Sequence, residues 1–234
     1  MALREELGDD AKTANTYNQL AGAYQEAGAD EKAVAAYGQA VEHFTAADDN
    51  ASAANVLDGM GRYYRSVKQS AEAVTAFEEA LALREQVGDD EKRANTLNQL
   101  ADAYGEANRD VEALAAYQQA IALYQNAQNH SSAAGVLENL GRYHRSLKRY
   151  RDAAAAFEQA LALRQELGED KRTAGTWSQL ADAYANGGQD AKALDAYGQA
   201  AALYTASGAD GNAAGTLEAL GRYHRSLKIG RAHV

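Results

Sequence analysis

Large apolar residues recur along this chain at every fortieth position. The anchor of each copy is a leucine or a methionine: Leu20, Met60, Leu100, Leu140, Leu180 and Leu220. Four residues after each anchor stands an aromatic ring or an imidazole: Tyr24, Tyr64, Tyr104, His144, Tyr184 and His224. Residues four apart lie on one face of a helix, so each copy is predicted to contain a first helix.

A second apolar group begins thirteen residues after each anchor. It starts with an alanine: Ala33, Ala73, Ala113, Ala153 and Ala193. An aromatic ring follows four residues later: Tyr37, Phe77, Tyr117, Phe157 and Tyr197. Another alanine completes the group: Ala40, Ala80, Ala120, Ala160 and Ala200. Alanines let antiparallel helices approach closely while rings fill the gaps, so each copy predicts a helix pair.

Short polar segments separate the predicted helices. Glycine ends a helix there, and Asp or Asn caps the next one. The first helices are predicted near residues 13–27, 53–67, 93–107, 133–147, 173–187 and 213–228. The second helices are predicted near residues 31–47, 70–87, 110–127, 150–167 and 190–207.

Alternate copies resemble each other most. The stretch GRYHRSLK at 141–148 returns at 221–228, and as GRYYRSVK at 61–68. The repeat therefore has a superperiod of two units, with five full units and half a sixth within residues 9–228. Self-similarity at such a period is typical of a solenoid.

The two ends depart from this register. Residues 1–10 match 81–90 and 161–170, so residues 1–8 are expected to be the tail helix of a truncated preceding repeat. Residues 229–234, IGRAHV, match nothing upstream and correspond to a translated sequencing adapter. We expect them to be a non-native scar and the chain to be a fragment of a longer protein.

These units resemble the tetratricopeptide repeat. The fifth unit carries the family pattern in full: Trp177, Leu180, Ala181, Tyr184, Ala193, Tyr197 and Ala200. The long spacing between units resembles the subclass found in kinesin light chains and bacterial signalling proteins. The absent proline, and His144 and His224 in place of the first-helix aromatic, depart from it. The resemblance implies an all-α, right-handed α-solenoid whose first helices line a concave groove for an extended peptide or partner helix.

Composition and charge argue against several classes of function. The net charge of −10 opposes a general affinity for nucleic acid or anionic membranes. The sequence has no cysteine, no secretory segment and no apolar run long enough to span a membrane, so we expect a cytoplasmic protein. Catalytic and phosphate-binding motifs are absent, and neither an enzyme nor a cofactor is expected.

No metal is expected either. His144 and His224 stand two units apart, too far to share an ion, and are interpreted as packing residues. The acidic segments LGDD and LGED lack the ligand spacing of a calcium loop and are interpreted as helix caps.

Three arginines recur at the twelfth position of the first helices, counting Ala14 as the first position. They are Arg65, Arg145 and Arg225. Family geometry points this position into the groove, and the intervening units have the small residues Gly105 and Ala185 there. Arginine suits forked contact with a carboxylate, so these residues are candidate peptide contacts. The alternative is that they pair with Glu26 or Glu106, or are only solvated.

The ninth position also faces the groove by the same geometry. It alternates between Arg62, Arg142 and Arg222 and the aspartates Asp102 and Asp182. Asp58, Glu138 and Glu218 precede these arginines by four residues, which favours exposed ion pairs within one helix. Ligand contact through Arg62 and Arg142 is the alternative.

Asparagines mark the second and fifth positions in the first half of the chain. They are Asn15, Asn18, Asn55, Asn95 and Asn98. Amides can bond a peptide backbone, although asparagine near a helix start also bonds its own helix. Later units have Gly135, Gly175 and Gly215 at the second position, so the groove is expected to change character along the chain.

These features predict a protein interaction scaffold that binds an extended or helical acidic peptide. The alternative is a regulatory sensor arm of a larger bacterial signalling protein. RNA binding is disfavoured by the net charge and by Asp102 and Asp182. Self-association is also expected, through the unpaired last helix with Leu217 and Leu220.

Overall fold

The computed structural model describes the backbone of residues 10–232 and the side chains of residues 10–227. Within that range the elements are all helices, in this order: α1 (Asp10–Glu26), α2 (Asp30–Ala46), α3 (Asn50–Ser66), α4 (Ser70–Val87), α5 (Asp90–Glu106), α6 (Asp110–Asn126), α7 (His130–Ser146), α8 (Tyr150–Glu166), α9 (Asp170–Asn186), α10 (Asp190–Ala206) and α11 (Asp210–Ala232). The predicted all-α repeat of helix pairs is confirmed. The predicted tail helix at 1–8 lies outside the described residues. Helix α11 includes residues 229–232, and the scar remains a prediction.

The first helices begin three residues earlier than predicted. Residues interpreted as caps, such as Asp90, instead form the first helical turn, where a carboxylate interacts favourably with the helix dipole. The true cap is the preceding residue. The Asp49 and Asn129 side chains, for example, accept hydrogen bonds from the backbone N–H of Ser52 and Ser132 at 3.0 and 3.1 Å. Each such bond satisfies a donor that the helix leaves free.

The turns contain a left-handed residue at intervals of twenty. Five are glycines: Gly28, Gly88, Gly168, Gly188 and Gly208. Five are not: Asp48, Lys68, Asn108, Gln128 and Lys148. At 145–149 the Lys148 N–H donates to the Arg145 carbonyl at 3.0 Å, and the Arg149 N–H donates to the His144 carbonyl at 2.9 Å. This is the Schellman arrangement that ends a helix.

Replacing Lys148 by glycine is expected to stabilise the protein. Lys148 has φ of 58°, a conformation that is unfavourable by about 1–2 kcal/mol for a residue with a Cβ atom. Because glycine loses more backbone entropy on folding, the net gain in the free energy of unfolding should be about 0.5–1 kcal/mol. Urea denaturation, monitored by circular dichroism, measures this change in the free energy of unfolding. Lys148→Ala, which keeps the Cβ atom, is the control and should show no gain; equal stabilities for the glycine and alanine variants would contradict the prediction.

The chain forms two compact units, residues 1–123 and 124–234, and the boundary falls within α6. In unit 1, α1 packs on α2 and α3 packs on α4, and α4 also packs on α5. In unit 2, α7, α8, α9 and α10 each pack on the next helix in the chain. Contacts thus join neighbouring helices, as in a repeat array.

The core confirms the predicted alternation of large and small residues. Phe77 and Phe157 on second helices are fully buried. Each ring lies against a glycine of the paired first helix, since a Cβ atom on Gly61 or Gly141 would lie 2.7 Å from ring carbons of Phe77 or Phe157. This contact explains the glycine that opens the GRYYRSVK and GRYHRSLK stretches.

The two histidines differ in their environment. His144 is half-buried and packs as predicted, and burial lowers its pKa below the ordinary value. His224 is exposed, so its interpretation as a packing residue is wrong. Within the described residues α11 has no second helix of its own to cover this side chain.

Candidate functional site

The candidate site is the surface formed by the second, fifth, ninth and twelfth positions of the first helices, called here the first-helix face. In unit 1 it lies on α1, α3 and α5, and in unit 2 on α7, α9 and α11. Its geometry is given separately for each unit.

Arg65 and Arg145 both pair with acids of the following first helix. The Arg65 guanidinium donates through Nε and Nη2 to the Glu106 carboxylate at 3.1 and 2.7 Å, and its Nη1 lies 3.2 Å from Asp102. Arg145 Nη1 lies 3.0 Å from Asp182 Oδ2. Both arginines are therefore paired with acids, which is the alternative considered for them in the sequence. Their contact with a ligand stays a prediction.

The aspartates of these pairs are also held by tyrosines. The Tyr117 hydroxyl donates to Asp102, and the Tyr197 hydroxyl donates to Asp182 at 2.6 Å. Burial, together with the hydrogen bond to Asp182, raises the pKa of Tyr197 above its ordinary value. Because each carboxylate is shared by an arginine and a tyrosine, these parts of the face are fixed in position.

Arg62 and Arg142 contact neutral partners instead of acids. Arg62 Nη1 donates to Gln99 Oε1 at 3.4 Å, and Arg142 Nη1 donates to Gln179 Oε1 at 3.1 Å. Arg142 also donates to the side-chain oxygen of Asn139. Both arginines are exposed, and neither has a carboxylate partner among the residues the structure describes.

The expected ion pairs of Arg62 with Asp58 and of Arg142 with Glu138 are therefore wrong. Both acids turn towards a buried arginine of the paired second helix. Asp58 Oδ2 lies 2.8 Å from Arg84 Nη2, and Glu138 Oε1 lies 3.2 Å from Arg164 Nε. An acid that neutralises a buried cation is not available to an exposed one.

Arg84 and Arg164 are buried charged residues that were not predicted from the sequence. Their side chains are 2% and 4% exposed. Thr96 on α5 donates to Asp58 at 2.9 Å, which ties the Arg84 pair to the next helix pair. The available signal was the arginine that recurs once per superperiod, in LALREQ at 81–86 and LALRQE at 161–166, within an otherwise apolar helix face.

Two of the candidate asparagines bond within their own helices. Asn15 Nδ2 donates to the Ala11 carbonyl at 2.8 Å, and Asn95 Oδ1 accepts from Gln99 Nε2 at 2.7 Å. This is the local use considered for asparagine near a helix start.

The other three asparagines have different surroundings. Asn55 Oδ1 accepts from Arg84 Nη2 at 2.8 Å, so it belongs to the buried arginine network. Asn18 is exposed and Asn98 is half-buried. Backbone contact with a peptide stays a prediction for all five.

Unit 2 has an open cleft of about 660 Å³ between α7 and α9. Its lining is polar: Ser131, Ser132, Gly135, Glu138, Arg164, Arg172, Gly175, Thr176 and Gln179. A Cβ atom at position 135 would have Arg164 Nη2 as its nearest neighbour, at 3.8 Å. Gly135 therefore leaves open space at this point and is not required to prevent a clash. Gly135 and Gly175 both line this cleft, and the expected change in character along the whole face stays a prediction.

A second cleft, of about 490 Å³, lies between α9 and α11. Arg222 and Gly215 line it. Arg222 and Arg225 are exposed, and neither has an acid within hydrogen-bond reach in the described part of the chain. Unit 2 therefore places arginine charge beside two open clefts.

Neither a metal site nor a membrane span is found in the described residues. They contain no group of three or more histidine or acidic side chains placed to hold a metal ion. No helix among them is both long and apolar enough to cross a membrane.

The repeat pattern and the helix pairs define a family. A tetratricopeptide repeat model matches residues 49–126 and 132–206, and another matches residues 13–42. The chain belongs to the tetratricopeptide repeat family. A search of curated proteins found no sequence match.

Solved structures with this fold include BtubC (BKLC) from P. vanneervenii, at 21% identity and a TM-score of 0.70, covering 89% of this chain and 93% of that one. A putative kinesin light chain from Podosopora anserina, with nearly identical TPR-like repeats, shares 22% identity at a TM-score of 0.67, covering 82% and 95%. A Rap protein complexed with Competence and Sporulation Factor shares 18% identity at a TM-score of 0.62, covering 93% and 64%. At these identities the likeness shows the fold.

Proposed function

We propose that this chain is a non-enzymatic protein interaction scaffold whose first-helix face binds an acidic peptide, chiefly in unit 2. The observation that carries the proposal is Arg142. Its charge is exposed and is met only by neutral amides, close to the cleft that Gly135, Gly175 and Gln179 line. A ligand carboxylate would give this guanidinium the forked partner that the chain does not supply.

Charge balance favours unit 2 over unit 1. Arg65 in unit 1 has two carboxylate partners, whereas Arg145 in unit 2 has Asp182. The reason is that Asn186 stands at the position that Glu106 occupies one superperiod earlier. Because the whole chain carries −10, an acidic ligand would be attracted only where cations locally exceed acids.

The predicted contacts have unequal roles in this proposal. Arg142 and Arg222 would contact ligand carboxylates, with Arg225 beside them. Arg65 and Arg145 would mainly hold Asp102 and Asp182 in place. In unit 1, Arg62 and the exposed asparagine Asn18 would extend the surface for an extended peptide backbone.

A known neighbour supports a peptide ligand. The Rap protein of similar fold was solved in complex with Competence and Sporulation Factor. The same neighbour favours a second candidate function, a sensor arm of a larger signalling protein, because the match covers only 64% of the Rap chain. An adjoining effector domain in the full reading frame would support this second function.

Two further properties belong to the proposal. We place the scaffold in the cytoplasm, since a sequence without cysteine suits a reducing compartment. Self-association through α11 is supported by Leu217, which is 53% exposed there.

A peptide-display selection on the full chain tests the proposed function. Peptides enriched in Asp and Glu are expected, with affinity that falls as salt rises. The double variant Arg142→Glu/Arg222→Glu should lose these peptides, because it replaces both proposed cations by anions.

The control changes the same charge elsewhere in unit 2. Arg149→Glu/Arg151→Glu alters two exposed arginines at the start of α8 and should retain the selected peptides. Failure to select any acidic peptide, or equal loss of binding in both double variants, would contradict the proposal.

A further inference from the structure

Three tyrosines on first helices have a cation of their own chain over the ring. Lys32 Nζ lies 5.7 Å from the Tyr24 ring centroid, and Lys192 Nζ lies 5.0 Å from that of Tyr184. Each lysine stands eight residues after its tyrosine. Arg109 lies over Tyr104 at 4.4 Å. The fold therefore builds a cation site on this ring repeatedly.

Tyr64 differs from these three copies because no cation lies over its ring among the residues the structure describes. Eight residues after it stands Glu72, where Tyr24 and Tyr184 have lysine. No residue in the described part of the chain places a cation over the Tyr64 ring. In its place lies a cleft of about 180 Å³ between α3 and α4.

This cleft combines an apolar channel with two carboxylates. Its lining consists of Leu57, Met60, Tyr64, Glu72, Thr75, Ala76 and Glu79. Burial first, and then the nearby charges of Glu72 and Glu79, raise the pKa of Tyr64 above its ordinary value. The acids therefore lie close enough to the ring to act on a charge bound there.

We propose that this cleft binds a lysine side chain of a partner protein. The methylene stem would lie along Leu57, Met60 and Ala76, as long charged side chains do on apolar surface. The ammonium would reach the Tyr64 ring, as Lys32 and Lys192 reach theirs, and would be neutralised by Glu72 and Glu79. The site lies between α3 and α4 in unit 1 and is independent of the proposed acidic ligand.

Lysine fits better than the alternatives on three counts. Two of the three internal copies use lysine, and both use it at the position that Glu72 replaces. The two carboxylates repel an acidic side chain. An uncharged aliphatic side chain could fill the channel but would leave the carboxylates and the ring without a cation.

Methyl NMR of the full chain tests this proposal directly. The chain has two methionines, Met1 and Met60, so with methionine ¹³C-methyl labelling the Met60 resonance is readily assigned. Acetyl-Gly-Lys-Gly-amide should shift that resonance saturably, with a Kd on the order of millimolar. The norleucine peptide, which keeps the stem but lacks the ammonium, should bind at least about fivefold more weakly, since it loses the cation contact. Equal shifts with both peptides, or none with lysine, would overturn the proposal.

A variant that fills the cleft from within gives the second test. Glu72→Lys restores the lysine eight residues after the tyrosine and should abolish the response to the lysine peptide. Glu31→Lys makes the same charge change in the first turn of α2 and should leave the response unchanged. Glu79→Gln, which only removes a charge, should weaken binding several-fold. Retention of full binding by the Glu72→Lys and Glu79→Gln variants would refute the proposed site.

Discussion

Replacing Asp58 by alanine is expected to lower the free energy of unfolding by about 3–5 kcal/mol, the range for removing one partner of a buried ion pair. The Arg84 side chain is 2% exposed, and Asp58 is its acidic partner at 2.8 Å. Without Asp58 the guanidinium would remain buried without its directly bonded carboxylate, and Thr96 would lose its acceptor.

Urea denaturation of single and double variants separates the charge effect from lost packing. Asp58→Ala/Arg84→Met removes both charges and should recover most of the loss, because an apolar side chain tolerates the buried position. Glu138→Ala in unit 2 should be milder, since Glu169 still lies 2.6 Å from Arg164 Nη1. An Asp58→Ala variant within about 1 kcal/mol of the parent would contradict the prediction, because that is the scale of an exposed pair.

Replacing Gly141 by alanine is expected to lower the free energy of unfolding by about 1–3 kcal/mol, the usual range for overpacking a core. The added Cβ atom would lie 2.7 Å from Phe157 Cε1. The Phe157 side chain is fully buried and cannot move aside without displacing its neighbours. The change is adverse although alanine favours a helix by about 1 kcal/mol over glycine.

Gly221→Ala is the matched control, because it is the same substitution in the last copy of the GRYHRSLK stretch. The nearest atom to its Cβ would be Arg225 Nη1, at 3.9 Å, so the variant should be neutral or more stable. Gly141→Ala/Phe157→Leu should regain part of the loss, since the smaller side chain leaves room for the methyl group. If Gly141→Ala were as stable as the parent, the proposed ring contact would not limit packing.

The fold could be predicted because its determinants are local and repeated. Anchors such as Leu100, rings such as Phe77 and alanines such as Ala73 recur in one register, and only paired helices bury them together. The starts of the helices could not be placed as well. An acid such as Asp90 can either cap a helix or lie in its first turn. Which of these two roles it takes depends on whether the preceding turn ends one residue before the cap.

The partners of the charged residues were harder to predict. Arg65 meets Glu106, 41 residues away, across two first helices. Asp58 pairs with Arg84 instead of with Arg62, because Arg84 is buried although its side chain is charged. Which charged residues pair with each other depends on the distances between helices, and the apolar pattern alone does not specify these distances.

The crystal structure of the full chain with a selected acidic peptide tests the central claim most directly. We predict that a peptide carboxylate lies within hydrogen-bond distance of Arg142, on the first-helix face of unit 2, and that the Arg142 bond to Gln179 is rearranged or shared. A peptide bound on another surface, with Arg142 still bonded to Gln179 as in the unbound chain, would contradict the account.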